Sequence, residues 1–366
     1  MTMHDDQLDV TPETVAALIQ EQFPRWSRLA VRRLPSTGTV NAIFRVGNDL
    51  SARLPLRPAD PAEALAVLER ETRASAELAR VSPFPAPEPV ALGRPGAGYP
   101  MPWSLQTWLP GTVALDADPS GSDAFAEDLA AFIAALRAAG TRGRLFSGEG
   151  RGGVLAHHDA WMAKCFEESE GLLGPVRRTF AGPRRLARTL AARPNHPSTS
   201  STRAIRARAE EWGLPCSSGA ENSGMHQTPR ADPRRSAGQA LDVVRLRRMW
   251  SRFRELPRTG GDVMSHGDLI PGNVLVAGDR LGGVLDTGGF GPADPALDLV
   301  GAWHLLRSGP REVLRGTLGC DDVEWERGRA WAFQQAMGLV WYYAESNPAM
   351  SRMGRRTLDR LLEPAE

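Results

Sequence analysis

The sequence is poor in lysine and cysteine and has no long apolar run. Lys164 is the single lysine among 366 residues, against 43 arginines, so guanidinium groups carry almost all of the positive charge. The three cysteines, Cys165, Cys216 and Cys320, are scattered along the chain. They form neither a disulfide framework nor a metal-binding motif, so we expect free thiols. Because no run of about 18 apolar residues occurs, we expect no membrane-spanning helix.

The charge of the chain is balanced overall but unevenly distributed. Its formal net charge of +1 argues against a protein that binds nucleic acid through its total charge. Residues 174–240 hold 12 arginines against 4 acidic residues, so the remainder is net acidic, near −7. Such a body attracts cationic small molecules more readily than phosphate polymers. The first ten residues are acidic and lack the apolar segment of a signal peptide, which with free thiols favours a cytoplasmic protein.

The first 111 residues mix strand and helix patterns. Residues 11–22 begin with Thr-Pro-Glu, a good helix start, and residues 61–81 are rich in alanine and leucine, which predicts a long helix. Between them, residues 43–54 read as a hairpin around Gly-Asn-Asp. Residues 103–111 follow a proline-rich connector and have a strand pattern. This part predicts a small β-rich lobe at 1–111.

Residues 112–366 predict a larger, mainly helical lobe, which makes the fold class α+β. The segment 174–240 interrupts this lobe with seven prolines and almost no aromatic residues. Its composition favours a disordered insertion over a third folded domain or an arginine-rich arm for nucleic acid. We therefore expect two lobes, the second interrupted by an insertion.

Three polar side chains surround a predicted hairpin near the end of the chain. Strand patterns at 274–276 and 283–285 are joined by a Gly-Asp turn, so the hairpin brings Asp286 beside Asn273. An amide and a carboxylate oxygen suit Mg²⁺, which takes few protein ligands and fills its shell with phosphate and water. Asp268, at the start of the loop, can accept a proton. Enzymes that transfer phosphoryl groups use a carboxylate base beside a metal–nucleotide site.

The motif HGDLIPGN at 266–273, followed by GVLDTGGFGPADPALDLVGAW at 283–303, resembles the aminoglycoside phosphotransferase family. Members of this family have a fold similar to that of protein kinases, with an HGDxxxxN loop, a strand ending in Asp and a GDPxxDL segment. The resemblance covers nearly the whole chain except 174–240. It implies a two-lobed protein-kinase-like fold and the ATP- or GTP-dependent transfer of a phosphoryl group to a hydroxyl, with Mg²⁺ as cofactor.

The resemblance also implies a role for each residue of the motif. Asp268 would be the catalytic base, and Asn273 and Asp286 would bind Mg²⁺. His266 would support the loop through hydrogen bonds. Two further acidic residues would brace the loop and cap a helix starting near Pro295, although a helix amino terminus favours carboxylates without any such role. These two residues are Asp294 and Asp298.

For the nucleotide, the resemblance implies a basic residue in the third strand, paired with a helix glutamate. Arg53 and Glu71 occupy these places, and a guanidinium can bind phosphate in the position where kinases have lysine. The alternatives are a solvated strand residue for Arg53 and an exposed helix acid for Glu71. The loop PSTGTVN would contact phosphate through Ser36 and Thr37. The lobe connector at 106–111, which contains Trp108, would meet the adenine base.

The acceptor is less defined than the transfer. Trp341, Tyr342 and Tyr343 are core residues by default, but in this family the carboxy-terminal helices usually line the acceptor pocket. The acceptor is an aminoglycoside or another antibiotic, or a metabolite such as homoserine, choline or a sugar, because the fold alone does not specify it. The insertion raises a second hypothesis, a catalytically inactive nucleotide-binding protein. Neither hypothesis involves nucleic acid or a membrane, and the oligomeric state is left open.

Overall fold

The structure is a computed structural model that describes residues 7–34, 41–171 and 241–363. The predicted insertion at 174–240 and the loop with Ser36 and Thr37 lie outside the described residues. Within the described ranges, none of the helices combines the length and the apolar character needed to cross a membrane.

An antiparallel five-stranded sheet forms the amino-terminal part of the fold. The predicted hairpin is present in this sheet, with Val46 paired to Leu50 across the turn at 47–49. The strand order is β1-β2-β3-β5-β4. The strands are β1 (Val31–Arg33), β2 (Asn41–Val46), β3 (Leu50–Pro55), β4 (Pro89–Gly93) and β5 (Trp103–Thr107).

Two helices accompany this sheet and begin where the sequence predicts. Helix α1 (Pro12–Gln22) starts after Thr11, whose side chain accepts a hydrogen bond from the backbone N–H of Thr14. Its apolar side chains join the core that the sheet forms with it. Helix α2 (Pro61–Val81) starts after Asp60, a favourable N-cap residue. It packs against the turn at 287–289, so it links the sheet to the second predicted hairpin.

The carboxy-terminal part contains short antiparallel strands. Strand β8 pairs with β6 and β9, and β7 pairs with β10. The predicted hairpin is β8–β9, and the backbone N–H of Leu285 donates to the carbonyl of Asn273 at 2.8 Å. Asp286 follows directly and lies near Asn273. The strands are β6 (Thr112–Val113), β7 (Val263–Ser265), β8 (Val274–Ala277), β9 (Arg280–Val284) and β10 (Gly291–Ala293).

Helices make up most of the carboxy-terminal part and bury a large apolar core. A small antiparallel sheet before a mainly helical part confirms the predicted fold class. The helices are α3 (Ala114–Ala117), α4 (Asp123–Ala138), α5 (Asp159–Gly171), α6 (Val243–Phe253), α7 (Val300–Leu305), α8 (Ser308–Leu318), α9 (Asp322–Tyr342) and α10 (Pro348–Leu362).

The helix expected near Pro295 starts later, at Val300. The preceding residues instead form tight turns, in which an N–H bonds the carbonyl three residues earlier, as Leu297 does with Asp294 at 2.9 Å. The Asp294 carboxylate accepts from the N–H of Ala296, so it caps these turns and not an α-helix. Asp298, inside the turns, directs its carboxylate to the loop before β8. The predicted capping of a helix at Pro295 is therefore wrong in register.

Candidate active site

The carboxylate of Asp268 is held by three donors from three separate parts of the chain. Its Oδ2 accepts from Asn273 Nδ2 at 2.8 Å. Its Oδ1 accepts from Arg151 Nη2 at 2.9 Å and from Gln335 Nε2 at 2.6 Å. The side chain is 16% exposed, so one face still meets the solvent. A carboxylate fixed in this way is oriented before any substrate arrives.

His266 supports the loop through a complete set of hydrogen bonds. Its Nε2 lies 2.9 Å from the carbonyl of Leu285, and its Nδ1 lies 3.3 Å from the backbone N–H of Asp268. Since a carbonyl only accepts and an N–H only donates, the ring carries its proton on Nε2. Asp298 accepts from the backbone N–H groups of His266 and Gly267 at 2.9 and 2.8 Å. These contacts match the bracing roles expected for both side chains.

Asn273 and Asp286 offer the side-chain oxygen atoms that a Mg²⁺ site needs. Asn273 is fully buried, and its Oδ1 has no hydrogen-bond partner among the described residues. A buried amide oxygen without a donor is costly unless something else binds it. Asp286 is a non-glycine residue with a left-handed backbone (φ 55°). Strain of this kind occurs at functional sites.

The donor set therefore fits Mg²⁺ better than a metal that needs a full protein shell. In the described part of the chain, no three His, Cys, Asp or Glu side chains form a cluster that could hold a metal ion. Mg²⁺ does not require such a cluster, because one or two protein oxygens with substrate phosphates and water complete its octahedral shell. Asn273 Oδ1 and the Asp286 carboxylate are the residues that would hold it.

Arg53 connects the sheet to this site. Its Nη2 donates to Asp286 Oδ1 at 2.8 Å, and the side chains are 10% and 15% exposed. The alternative of a solvated strand residue is therefore excluded. Burial raises the pKa of the Glu71 carboxyl, while nearby Arg53 opposes and Asp286 adds to this rise. Gly288 allows the close approach, since a Cβ there would lie 3.0 Å from the Cβ of Glu71.

Trp108 lies in the connector between β5 and β6, as predicted. Its backbone N–H donates to the carbonyl of Asp49 at 2.8 Å, and the guanidinium of Arg45 stands 4.7 Å from its ring centre. A narrow cavity of about 30 Å³ opens beside the connector, between Ile43 of the sheet and Leu285. Both apolar and polar side chains line this cavity.

Arg151 is a site residue that our reading of the sequence missed. Its guanidinium bonds the carbonyl of Gly267 at 3.1 Å in addition to Asp268, and its side chain is only 7% exposed. Gly152 has a φ of +109°, and a Cβ there would lie 2.8 Å from the Cβ of Ala293. The signal was present as an arginine in the glycine-rich stretch GEGRGG, but nothing in that stretch indicates which residue it would contact.

Asp294 lies in the core and not in the cleft. It is 0% exposed and accepts hydrogen bonds from Arg327 Nε at 2.9 Å and Trp331 Nε1 at 3.1 Å. Its backbone N–H donates to the carbonyl of Gly152 at 2.8 Å, which fixes the segment that carries Arg151. We therefore expect Asp294 to support the loop of Asp268 indirectly, through the segment that carries Arg151.

A cleft of about 470 Å³ opens over Asp268 and Asp286. Its walls come from the segment at 145–151, the loop at 265–268, the turn after Asp286 and Glu71 of α2. Among the described residues lining it, none belongs to the predicted aromatic group. Instead, Tyr343 is 2% exposed in a small core cluster, and Trp341 donates to Cys165 Sγ at 3.2 Å. The acceptor role of Trp341, Tyr342 and Tyr343 stays a prediction.

The chain has a kinase-like phosphotransferase fold. A small antiparallel sheet is followed by a mainly helical part, which contains the loop of Asp268. The chain belongs to the phosphotransferase enzyme family, whose sequence model matches residues 31–331. The predicted resemblance and the prediction of a small-molecule phosphotransferase are thereby confirmed. No curated protein matches the chain by sequence.

Solved structures of low sequence identity share this fold. One is aminoglycoside 2'-phosphotransferase-IIIa in complex with GDP, at 16% identity and a TM-score of 0.55, with 96% of this chain and 99% of that chain covered. Another is a macrolide 2'-phosphotransferase from Brachybacterium faecium, at 17% identity and a TM-score of 0.52, with 97% and 100% covered. These likenesses establish the fold alone.

Proposed function

We propose that this chain transfers the terminal phosphoryl group of ATP or GTP to a hydroxyl group of a small molecule. The observation that carries the proposal is the carboxylate of Asp268, oriented by three donors at the floor of a cleft that also contains Asp286. A base next to a potential metal–phosphate site is what phosphoryl transfer requires, because the reaction depends on positioning and charge stabilisation.

The nucleotide would enter between the sheet and the hairpin. The base would lie against the connector at Trp108, and Arg53, which lines the small cavity there, would face the phosphates. A phosphate oxygen would compete with Asp286 for the guanidinium of Arg53, which can bind such oxygens in a bidentate manner. The structure of aminoglycoside 2'-phosphotransferase-IIIa, which shares this fold, is a GDP complex, and this supports a nucleotide as co-substrate. Contacts from Ser36 and Thr37 stay predictions.

Mg²⁺ bound by Asn273 and Asp286 would neutralise charge on the phosphate oxygens. Asp268 would then orient the acceptor hydroxyl and take up its proton. The acceptor oxygen forms a bond to the terminal phosphorus, the bond from that phosphorus to the bridging oxygen breaks, and the nucleoside diphosphate leaves. His266 and Asp298 keep the loop of Asp268 in place during this exchange.

The lining of the cleft favours an acceptor that carries amines as well as hydroxyls. Four carboxylates, from Glu71, Glu149, Asp268 and Asp286, line the cleft, and two of them pair with guanidinium groups, Asp268 with Arg151 and Asp286 with Arg53. This local excess of negative charge attracts cations. Kanamycin and macrolides are named for relatives with the same fold, and both comparisons agree with such an acceptor.

A panel assay tests the proposal. Purified protein with Mg²⁺ and either ATP or GTP is combined with aminoglycosides, macrolides, homoserine, choline and simple sugars, and release of nucleoside diphosphate is measured. We expect turnover with at least one amine-bearing compound. Loss of the base in Asp268→Ala should lower turnover by about 10²–10⁴ while nucleotide still binds.

Two outcomes would contradict the proposal. Nucleotide binding without turnover for any compound would identify a catalytically inactive nucleotide-binding protein. Turnover near the wild-type rate in Asp268→Ala would show that another group takes the proton.

A further inference from the structure

Behind Asp268, a line of buried polar side chains runs through three helices. Gln335 of α9 is 1% exposed, His304 of α7 is 3% exposed and Thr357 of α10 is 0% exposed. Gln335 Oε1 lies 3.1 Å from His304 Nε2, and Thr357 Oγ1 lies 2.9 Å from His304 Nδ1. Buried polar groups that serve packing alone are uncommon, because each must be satisfied at a cost.

The chemistry of Asp268 determines the direction of every hydrogen bond in this line. A carboxylate oxygen only accepts, so the NH₂ group of Gln335 must face Asp268 and its Oε1 must face His304. His304 Nε2 must then carry a proton to donate to that oxygen. His304 Nδ1 is therefore without a proton, so the one proton of the Thr357 hydroxyl goes to this nitrogen and not to the carbonyl of Met353, which lies 3.1 Å from the same oxygen.

The surroundings keep His304 in this neutral form. Burial lowers the pKa of His304 to about 3, and the nearby charge of Arg151 acts in the same direction. At neutral pH the ring therefore has a single N–H. A charged ring would have two N–H groups, and the hydroxyl of Thr357 could no longer donate to it.

We propose that Gln335, His304 and Thr357 form a positioning chain whose directed hydrogen bonds hold Asp268 in its reactive orientation. The proposal rests on the proposed role of Asp268 as the base. Gln335 touches the carboxylate directly, and His304 acts through Gln335 by preventing its amide from turning over. Thr357 acts in turn on His304 by fixing which nitrogen carries the proton.

The first test replaces Gln335 with an apolar side chain of similar length. In Gln335→Met we expect kcat to fall by about 10- to 100-fold, as for loss of a hydrogen bond to a charged group. The KM for nucleotide should not change, because Gln335 lies behind Asp268. The assay uses the panel compound with the highest turnover or, where none is accepted, hydrolysis of ATP by water.

Gln334 provides a matched control on the same helix. It is also 1% exposed, and its Nε2 lies 3.3 Å from a buried histidine, His158. Gln334→Met removes one hydrogen bond and an amide oxygen that has no partner among the described residues, so it should lower thermal stability less than Gln335→Met does, while kcat stays within about twofold of wild type. A loss of kcat equal to that of Gln335→Met would assign the effect to disturbance of the helix and overturn the proposal.

The second test asks whether His304 acts through Gln335. His304→Phe should lower kcat by about 2- to 10-fold. The double variant with Gln335→Met should match Gln335→Met alone within about twofold, because the route from His304 is already broken. His304→Gln places an amide nitrogen near the position of Nε2, so it should recover most of the lost kcat. Where Gln335→Met does not fold, the difference between these two His304 variants carries the test.

Two results would overturn the positioning chain. One is a double variant in which the losses of kcat from the two single variants multiply. The other is a His304→Gln variant whose kcat is as low as that of His304→Phe. Failure of the underlying function is distinguishable. If Asp268→Ala loses turnover and Gln335→Met does not, only the positioning chain is wrong. If Asp268→Ala keeps its turnover, the proposed function itself is wrong.

Discussion

Arg53 and Asp286 form an ion pair at the cleft, and Arg327 and Asp294 form another in the helical core. The side chains of the first pair are 10% and 15% exposed, and those of the second are 2% and 0% exposed. Asp294 also accepts from Trp331 and from the backbone of Ala296. The same two chemical groups thus form one partly exposed ion pair and one fully buried ion pair.

The difference shows what separates a carboxylate that a ligand could reach from a structural carboxylate in a single motif. Asp294 has its lone pairs filled by buried donors, so a ligand would have to break several bonds to reach it. Asp286 has solvent access and a strained backbone, so under the proposed function it would exchange Arg53 for a cation. Removing one partner of a buried ion pair leaves an uncompensated charge, whereas a partly exposed pair is screened by water.

Among variants of the two ion pairs, Asp286→Asn should show the largest effect, and this effect should be on turnover. Asparagine tolerates the left-handed backbone at this position, so the fold should be retained. Loss of a metal-binding carboxylate removes several kcal/mol of charge stabilisation, which corresponds to a fall in kcat of on the order of 10²–10³. Steady-state assays at saturating Mg²⁺, with thermal melting alongside, measure both quantities. A full rate in this variant would remove Asp286 from the site.

Asp294→Asn should act on stability instead. The variant leaves the buried guanidinium of Arg327 without its charged partner, which costs about 3–5 kcal/mol. Urea denaturation of the wild type and the variant gives the change in unfolding free energy. If Asp294→Asn and Asp286→Asn lost equal stability, the contrast between core and cleft would fail.

Arg53→Met should raise the KM for nucleotide by about 10- to 100-fold, because charge-assisted hydrogen bonds to phosphate are lost. Arg53→Lys should fall between this variant and the wild type, since lysine keeps the charge but not the bidentate geometry. Arg32→Met, an exposed arginine on β1, is the control and should bind nucleotide normally. An unchanged KM in Arg53→Met would show that Arg53 serves only to pair with Asp286.

A further effect concerns pH and acts through the core. Burial lowers the pKa of His158 to about 4 and that of His304 to about 3. Because the unfolded chain binds these protons near pH 6.5, stability is complete above pH 6.5 and falls as the pH drops towards 4. Each histidine contributes a slope of about 1.4 kcal/mol per pH unit in that window.

Denaturation at pH 7, 6 and 5 in the wild type and in His158→Gln measures this slope. The unfolding free energy of His158→Gln should change with pH by about 1.4 kcal/mol per pH unit less than that of the wild type. An identical slope in both proteins would show that His158 is not buried in its neutral form.

Local features of the fold were predictable because they depend on neighbouring residues. The start of α1 at Thr11, the turn between β2 and β3, and the hairpin that places Asp286 near Asn273 follow from capping, turn chemistry and short apolar strand patterns. The late start of α7 was not predictable, since Asp298 bonds the backbone of a loop 31 and 32 residues earlier in the chain. The helix propensity of neighbouring residues gives no information about such a long-range contact.

The sequence by itself determined the chemical groups of the site, because Asp268, Asn273 and Asp286 are positioned by short-range structure around one hairpin. The tertiary structure decided how those groups are held. Arg151 and Gln335 reach Asp268 from 117 and 67 residues away. Whether Asp286 is exchangeable and Asp294 permanent depends on burial and on donors from distant helices. Burial and long-range donors arise only when the whole chain packs, so residue types and spacing cannot specify them.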